Sequence, residues 1–176
     1  ITWLLSIMVI DTGHVANLGA NDGAQLYSLN ESNYDDFRPS LQLLSVLLNG
    51  AKLFDDTACD ASLDWLGLNN EIPISKVKVP SVVLSDSGIV AMRSGHCLAV
   101  VKLSNSKFRP SHSDCLHLDL FLRNENLFRD SGSYSYQDFP WHNYFSGTSA
   151  HNTIQFDEHD QMPKLSKFLF AKWLTN

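Results

Sequence analysis

Pro73 and Pro80 bracket a stretch where the chain changes its hydrophobic period, and that change constrains the fold more than any other feature. Upstream, Phe37, Leu41, Leu44, Leu47 and Leu48 recur at helical spacing, with Pro39 in the first turn, Asp35 and Asp36 before it, and Gly50 as a left-handed stop. A shorter helix is expected around residues 61–66, and the apolar residues 1–10 read as a core helix whose beginning has been cut off. Downstream the segments are short and strand-like. Residues 82–84, 89–92 and 97–103 are separated by Asp86-Ser87-Gly88 and Ser94-Gly95, both hairpin signals. Residues 115–121 alternate, with Leu116, Leu118 and Leu120 on one face and His117, Asp119 and Phe121 on the other. Asn124-Glu125-Asn126 then turns the chain into residues 127–129, and residues 152–156 and 167–173 complete the strand candidates. Strands in succession with short turns predict an antiparallel sheet, so the fold class is α+β.

The balance of charge narrows the partners. A formal net charge of -6 without clustered Lys and Arg argues against nucleic acid. Ten apolar residues followed by Asp11 are too few to span a membrane, and without a basic start and a small-residue cleavage site they are no signal peptide. With the far end stopping inside a strand-like run, the chain is expected to be a piece of a longer protein. Cys59, Cys97 and Cys115 are odd in number and lack CxxC spacing, which excludes a zinc knuckle and argues against a disulfide framework. Asn21-Asp22-Gly23 and Asp86-Ser87-Gly88 read as turns, because a calcium loop needs more oxygen ligands at regular spacing.

Chemistry is concentrated between residues 109 and 160. His112, Asp130 and His151 each stand beside a strand-like segment, with Tyr134, Tyr136, Trp141 and Tyr144 among them. Imidazole and carboxylate are zinc-type ligands that a sheet can bring together from separate strands. Three hydrogen-bonded polar residues at strand ends are the alternative. His117 is expected on a sheet surface, and His142 and His159 in solvated loops.

Four segments carry a resemblance: Arg109-Pro-Ser-His-Ser-Asp, Leu116-His-Leu-Asp-Leu, Leu127-Phe-Arg-Asp-Ser-Gly-Ser-Tyr-Ser-Tyr and Tyr144-Phe-Ser-Gly-Thr-Ser-Ala-His-Asn-Thr. In order and spacing they resemble the heparinase II/III family of polysaccharide lyases. Asn17-Leu-Gly-Ala-Asn-Asp-Gly-Ala and Asp36-Phe-Arg-Pro-Ser-Leu look like the same family's linker. The resemblance implies the last helices of an (α/α) toroid over residues 1–75, then the start of an antiparallel β-sandwich over residues 76–176, incomplete at both ends. It implies a single Zn2+ held by His112, Asp130 and His151, an anionic, uronic-acid-containing polysaccharide as partner, and a periplasmic or secreted location.

In that family a base removes the proton next to the sugar carboxylate while an acid, usually Tyr, protonates the leaving oxygen. Tyr136 and Tyr144 are the candidates here for such a cleft, and Arg109 is a candidate for a bidentate grip on the substrate carboxylate. The sequence departs from the pattern at Pro110, where some members carry a catalytic His two positions before the first ligand. The family's principal catalytic Tyr is expected in helices upstream of Ile1. Two functions follow from these residues: part of a polysaccharide lyase, or a non-catalytic glycan-binding or scaffold module that keeps the metal for stability. Metal-assisted hydrolysis is disfavoured, because no H-E-x-x-H motif is present.

Overall fold

A computed structural model describes residues 1–21, 23, 30–68, 71–103 and 108–174. Asp22 of the expected Asn21-Asp22-Gly23 turn lies outside them. The chain forms two compact units, one of Ile1–Val15 with Gly23–Pro80, the other of Ala16–Asp22 with Ser81–Asn176. Among the described residues no helix is long and apolar enough to cross a membrane.

The first unit holds helices α1 (Thr2–Ile7), α2 (Arg38–Asn49) and α3 (Ala61–Trp65), with a 3-10 turn at Thr57–Cys59. Pro39 opens α2, and Gly50 closes it in the left-handed region at φ 67, its N–H bonded to Val46 O at 3.0 Å. Asp36 Oδ1 accepts the Arg38 backbone N–H at 3.0 Å and the guanidinium closes on the same carboxylate at 2.7 Å, satisfying one free donor of the helix start. Burial raises the Asp36 pKa, but the Arg38 bonds outweigh it and hold the carboxyl below its ordinary value.

The buried face of α2 differs from the expected leucine stripe. Leu41 is buried with Pro39, Gln42 and Ser45, whereas Leu44, Leu47 and Leu48 are exposed. The core is a small cluster of Met8, Leu41, Phe54 and Cys59, in which burial pushes the Cys59 thiol up to about 11. Gln42, fully buried, is its polar pin. Its Oε1 accepts from Leu53 N and Phe54 N at 2.8 and 2.9 Å, and its Nε2 donates to Phe54 O and Asp60 Oδ1 at 3.0 and 2.9 Å. A segment that forms no ladder thus finds its backbone partners on one side chain. Residues 1–10 form less helix than expected, since α1 is six residues and Met8 turns into a bridge with Val15.

The second unit is built on a five-stranded antiparallel meander: β1 (Val82–Leu84), β2 (Ile89–Ser94), β3 (Cys97–Lys102), β4 (Leu118–Leu122) and β5 (Glu125–Phe128). Both expected hairpins form, Leu84 pairing with Ile89 across residues 85–88 and Ser94 with Cys97 around Gly95-His96. A second two-residue turn joins β4 to β5, where Leu122 pairs with Glu125 around Arg123-Asn124. That second turn lies one residue earlier than expected, with Arg123 and Asn124 both left-handed at φ 49 and 69. A two-residue hairpin of type I′ needs positive φ at both central positions.

Across the sheet Ala91 pairs with Val100 and Val100 with Asp119, a row of three fully buried residues. The polar face of β4 is therefore the inward one: Asp119 and Phe121 are buried, while Leu116 and Leu122 are exposed. His117, expected on a sheet surface, is 1% exposed. It precedes the strand, on an inner face shared with Asp119. Helix α4 (Phe139–Ser146) occupies what was read as loop and buries His142, so His142 is not solvated; His159 is exposed. Residues 152–156 make no strand, and residues 167–173 are replaced by a ribbon of β6 (Lys164–Ser166) and β7 (Leu169–Phe170) that turns at Lys167-Phe168.

Replacing Gln42 with Ala strips Leu53 N, Phe54 N and Phe54 O of their partner. The expected loss is about 3 kcal/mol, read as a lower urea midpoint, and a midpoint within error of the unaltered chain would show that the pin is dispensable.

Candidate metal centre

Three loops meet behind the sheet. The first runs from β3 to β4 and carries His112 and Asp114. It is locked by hydroxyls and amides: Ser113 N bonds Ser146 O at 2.9 Å, Ser113 Oγ accepts from Met162 N at 3.1 Å, and Thr148 Oγ1 donates to Ser113 O at 3.0 Å. Gln161 holds both backbone groups of Cys115, at 2.9 and 3.0 Å, and Asp160 Oδ1 accepts Thr148 N at 2.7 Å. The second loop follows β5 and presents Asp130. Gly132, left-handed at φ 73, brings its N–H to Asp130 Oδ1 at 2.6 Å, and Ser131 Oγ donates to Ala150 O at 2.8 Å. The third is the 3-10 turn Thr148–Ala150 after α4, which ends at His151.

The structure brings His112, Asp130 and His151 together and adds Asp114. All four are buried, and each offers a ligand atom within 4.8 Å of the others. His151 Nδ1 lies 3.0 Å from Asp130 Oδ2, while Asn17 Nδ2 donates to Asp130 Oδ1 at 3.1 Å. The His112 and His151 rings are 5.1 Å apart between centroids. Lys102 Nζ pairs with both Asp114 oxygens at 2.6 Å. His112 Nδ1 and His151 Nε2, both buried, have no hydrogen-bond partner among the described residues.

These features fit a cation. A buried imidazole nitrogen without a partner is unfavourable unless something accepts its lone pair. Burial lowers the His112 pKa to about 4, against the pull of Asp114 and Asp130, so the ring is neutral at neutral pH and its lone pair is available. Burial raises the Asp130 pKa, but the His151 hydrogen bond, the His151 charge and the Gly132 N–H together bring it below its ordinary value. The group can bind a metal ion.

A cavity of about 220 Å³ adjoins His112, and Arg109, Tyr136, His142 and Phe168 line it. Tyr136 packs edge-on against His142 and Phe168, at 5.7 and 5.6 Å. His142 Nε2 bonds Lys167 O at 2.7 Å. Tyr144 lies elsewhere on α4, half-exposed against Trp141 and Phe145. Sequence reasoning missed Asn17, Asp114, His117 and the cavity wall formed by His142 and Phe168. The His-x-Asp spacing at residues 112–114 was a usable signal for Asp114, because two residues apart on an extended loop share a side.

A family model described as heparinase II/III-like, C-terminal, matches residues 77–176. Among solved structures, heparan sulfate lyase HepC from Pedobacter heparinus is 20% identical with a TM-score of 0.59, covering 90% of this chain and 23% of that one. A mutant of the same lyase is 18% identical with a TM-score of 0.59 and the same coverage. A heparinase III gene product is 20% identical with a TM-score of 0.57, again covering 90% and 23%. The chain thus spans about a quarter of the length of these proteins, and at such identities the likeness shows the fold. No curated protein matches the sequence. The chain belongs to the heparinase II/III-like family, a family of polysaccharide lyases.

The His112 environment gives a pH dependence. Its folded-state pKa lies below the ordinary 6.5, so the unfolded chain binds more protons in between. The stability involved, about 3 kcal/mol, is present above pH 6.5 and lost as pH falls toward 4. In chelator-treated protein the melting temperature should drop across that window, and His112→Gln should flatten the drop. An equally steep profile in the variant would assign the loss to other groups.

Proposed function

We propose that this chain forms part of a polysaccharide lyase that cleaves uronic-acid-containing glycans by β-elimination, with zinc at His112, Asp130 and His151. One observation carries the reading. Two partnerless buried imidazole nitrogens converge with two carboxylates beside a cavity lined by Arg109 and Tyr136, in a chain whose family is one of lyases. The similarity to heparan sulfate lyases supports an anionic, uronic-acid-containing glycan as the substrate class. By the same resemblance, residues 1–75 are the end of a helical toroid, residues 76–176 begin a β-sandwich, and the protein acts in the periplasm or outside the cell.

The zinc, when bound, supplies positive charge and a fixed tie among three chain segments. Arg109 grips the sugar carboxylate through a paired hydrogen bond, and neutralising that charge makes the adjacent C–H more acidic. As a base takes that proton, its electrons form the new C=C bond and expel the glycosidic oxygen. Tyr136, which packs against His142 and Phe168, is the candidate acid that hands a proton to that oxygen. Tyr144 is the second candidate acid, from outside the cavity. The principal catalytic Tyr is expected in helices preceding Ile1. Pro110 favours a second reading, a module that binds glycan and keeps the metal for stability, since a proline cannot transfer a proton.

Expressed with its flanking coding sequence, the protein should release products with a new ultraviolet-absorbing double bond from heparan-type, alginate or capsular glycans, while the 176-residue chain alone releases none. Saturated products would make it a hydrolase, and binding without cleavage would favour the second reading. Zinc should raise the melting temperature of the chain, and chelation should first expose residues 131–148, which lie between two ligands, to protease. A melting profile and cleavage pattern indifferent to both would remove the metal from the structure.

A further inference from the structure

The buried polar cluster extends past the four ligand-type side chains to His117 and Asp119, which are 1% and 0% exposed. Asp119 is placed by the sheet, opposite Val100 on its inner face. His117, two residues earlier, points the same way. Its Nδ1 accepts the Asn152 backbone N–H at 3.2 Å, which leaves the proton of the neutral ring on Nε2. That nitrogen is 3.7 Å from Asp119 Oδ2 and 3.9 Å from Asp130 Oδ2. Neither His117 Nε2 nor Asp119 Oδ2 has a hydrogen-bond partner among the described residues. The other Asp119 oxygen takes Asn126 Nδ2 at 2.7 Å, so Asp119 is anchored and its free oxygen faces His117.

A buried donor or acceptor left unmade costs about 1–3 kcal/mol. Here a donor faces two carboxylates at distances that a movement of about 0.8 Å turns into hydrogen bonds. Asp130 Oδ1 is already held by Asn17 and Gly132, and its Oδ2 by His151. His117 is on the remaining side, and its ring also meets the His151 ring edge-on, 5.5 Å between centroids. It therefore touches two of the ligand-type residues while keeping its own nitrogens out of the group.

We propose that His117 is a positioning residue of the metal centre: its Nε2–H, shared between Asp119 and Asp130, fixes the Asp130 carboxylate and the His151 ring in the orientation that binds the ion. This rests on the metal-centre reading above. Outer partners of this kind typically account for 10–100-fold in metal affinity.

The test titrates the 176-residue chain with Zn2+ against a chromophoric chelator and records the visible spectrum of the Co2+ form. His117→Ala should weaken Zn2+ binding 10–100-fold and shift the Co2+ bands, and His117→Gln, whose amide nitrogen reaches the Nε2 position, should recover most of the affinity. A lowered metal-free melting temperature with unchanged Zn2+ affinity would make His117 a packing residue and overturn the proposal. Should His117→Ala not fold, Asp119→Asn, of the same shape, decides: weaker Zn2+ binding supports the shared hydrogen bond, and unaltered binding overturns it. If the unaltered chain binds no Zn2+, the metal-centre reading falls and this inference with it. If that chain binds and the variants match it, this inference alone falls.

Discussion

The Asp130 carboxylate is the interaction on which the second unit turns. It is 5% exposed, and a buried carboxylate survives only if its lone pairs are matched. The match draws on distant parts of the chain: Asn17 from the amino-terminal segment, Gly132 from the next turn and His151 from beyond α4. Each donor fixes the position of its own segment. Desolvation, hydrogen bonding and segment placement are thus set by one group, and a substitution there propagates to the segments of Asn17, Gly132 and His151.

A second carboxylate of the same group shows how charge is managed differently. Asp114 is paired with Lys102 across 2.6 Å, a complete ion pair next to the ligand group. Removing either partner of such a pair leaves the other uncompensated, which in buried settings is more harmful than replacing both. The Lys102 end is 25% exposed, so the amine reaches solvent while its partner does not. Four buried side chains of ligand type therefore carry unequal charge demands: Asp114 is already balanced within the protein, and Asp130 is balanced by hydrogen bonds.

Much of the fold was legible because it depends on local rules. The hairpins at residues 94–97 and 122–125, the Pro39 start and the Gly50 stop follow from turn and capping chemistry that acts over four residues. The three ligand-type positions were legible through the order and spacing of the four family-like segments, since periodicity alone left hydrogen-bonded strand ends as an alternative. What stayed hidden depends on long-range burial. The leucines of α2 promised an inward stripe, yet Gln42 went in because four backbone and side-chain groups needed it. On β4, alternation identified two faces but not which one is inward, and the leucine face was the natural choice. Asp119 and His117 are inside because a polar cluster receives them. Helix α4 was hidden by its aromatic content, although Pro140 in its first turn was a start signal.

The lock around Ser113 has a consequence for motion. Amide protons in loops ordinarily exchange with water quickly, yet Ser113 N and Cys115 N are each tied to a distant segment, at Ser146 in the last turn of α4 and at Gln161. Freeing either proton means parting segments that are more than thirty residues apart in sequence. The irregular stretch from residue 111 to 115 should therefore open only together with 146–148 and 160–162, as one cooperative unit rather than a set of fraying turns. In this protein the slowest-exchanging loop protons would mark the same ground on which the ligand-type side chains stand.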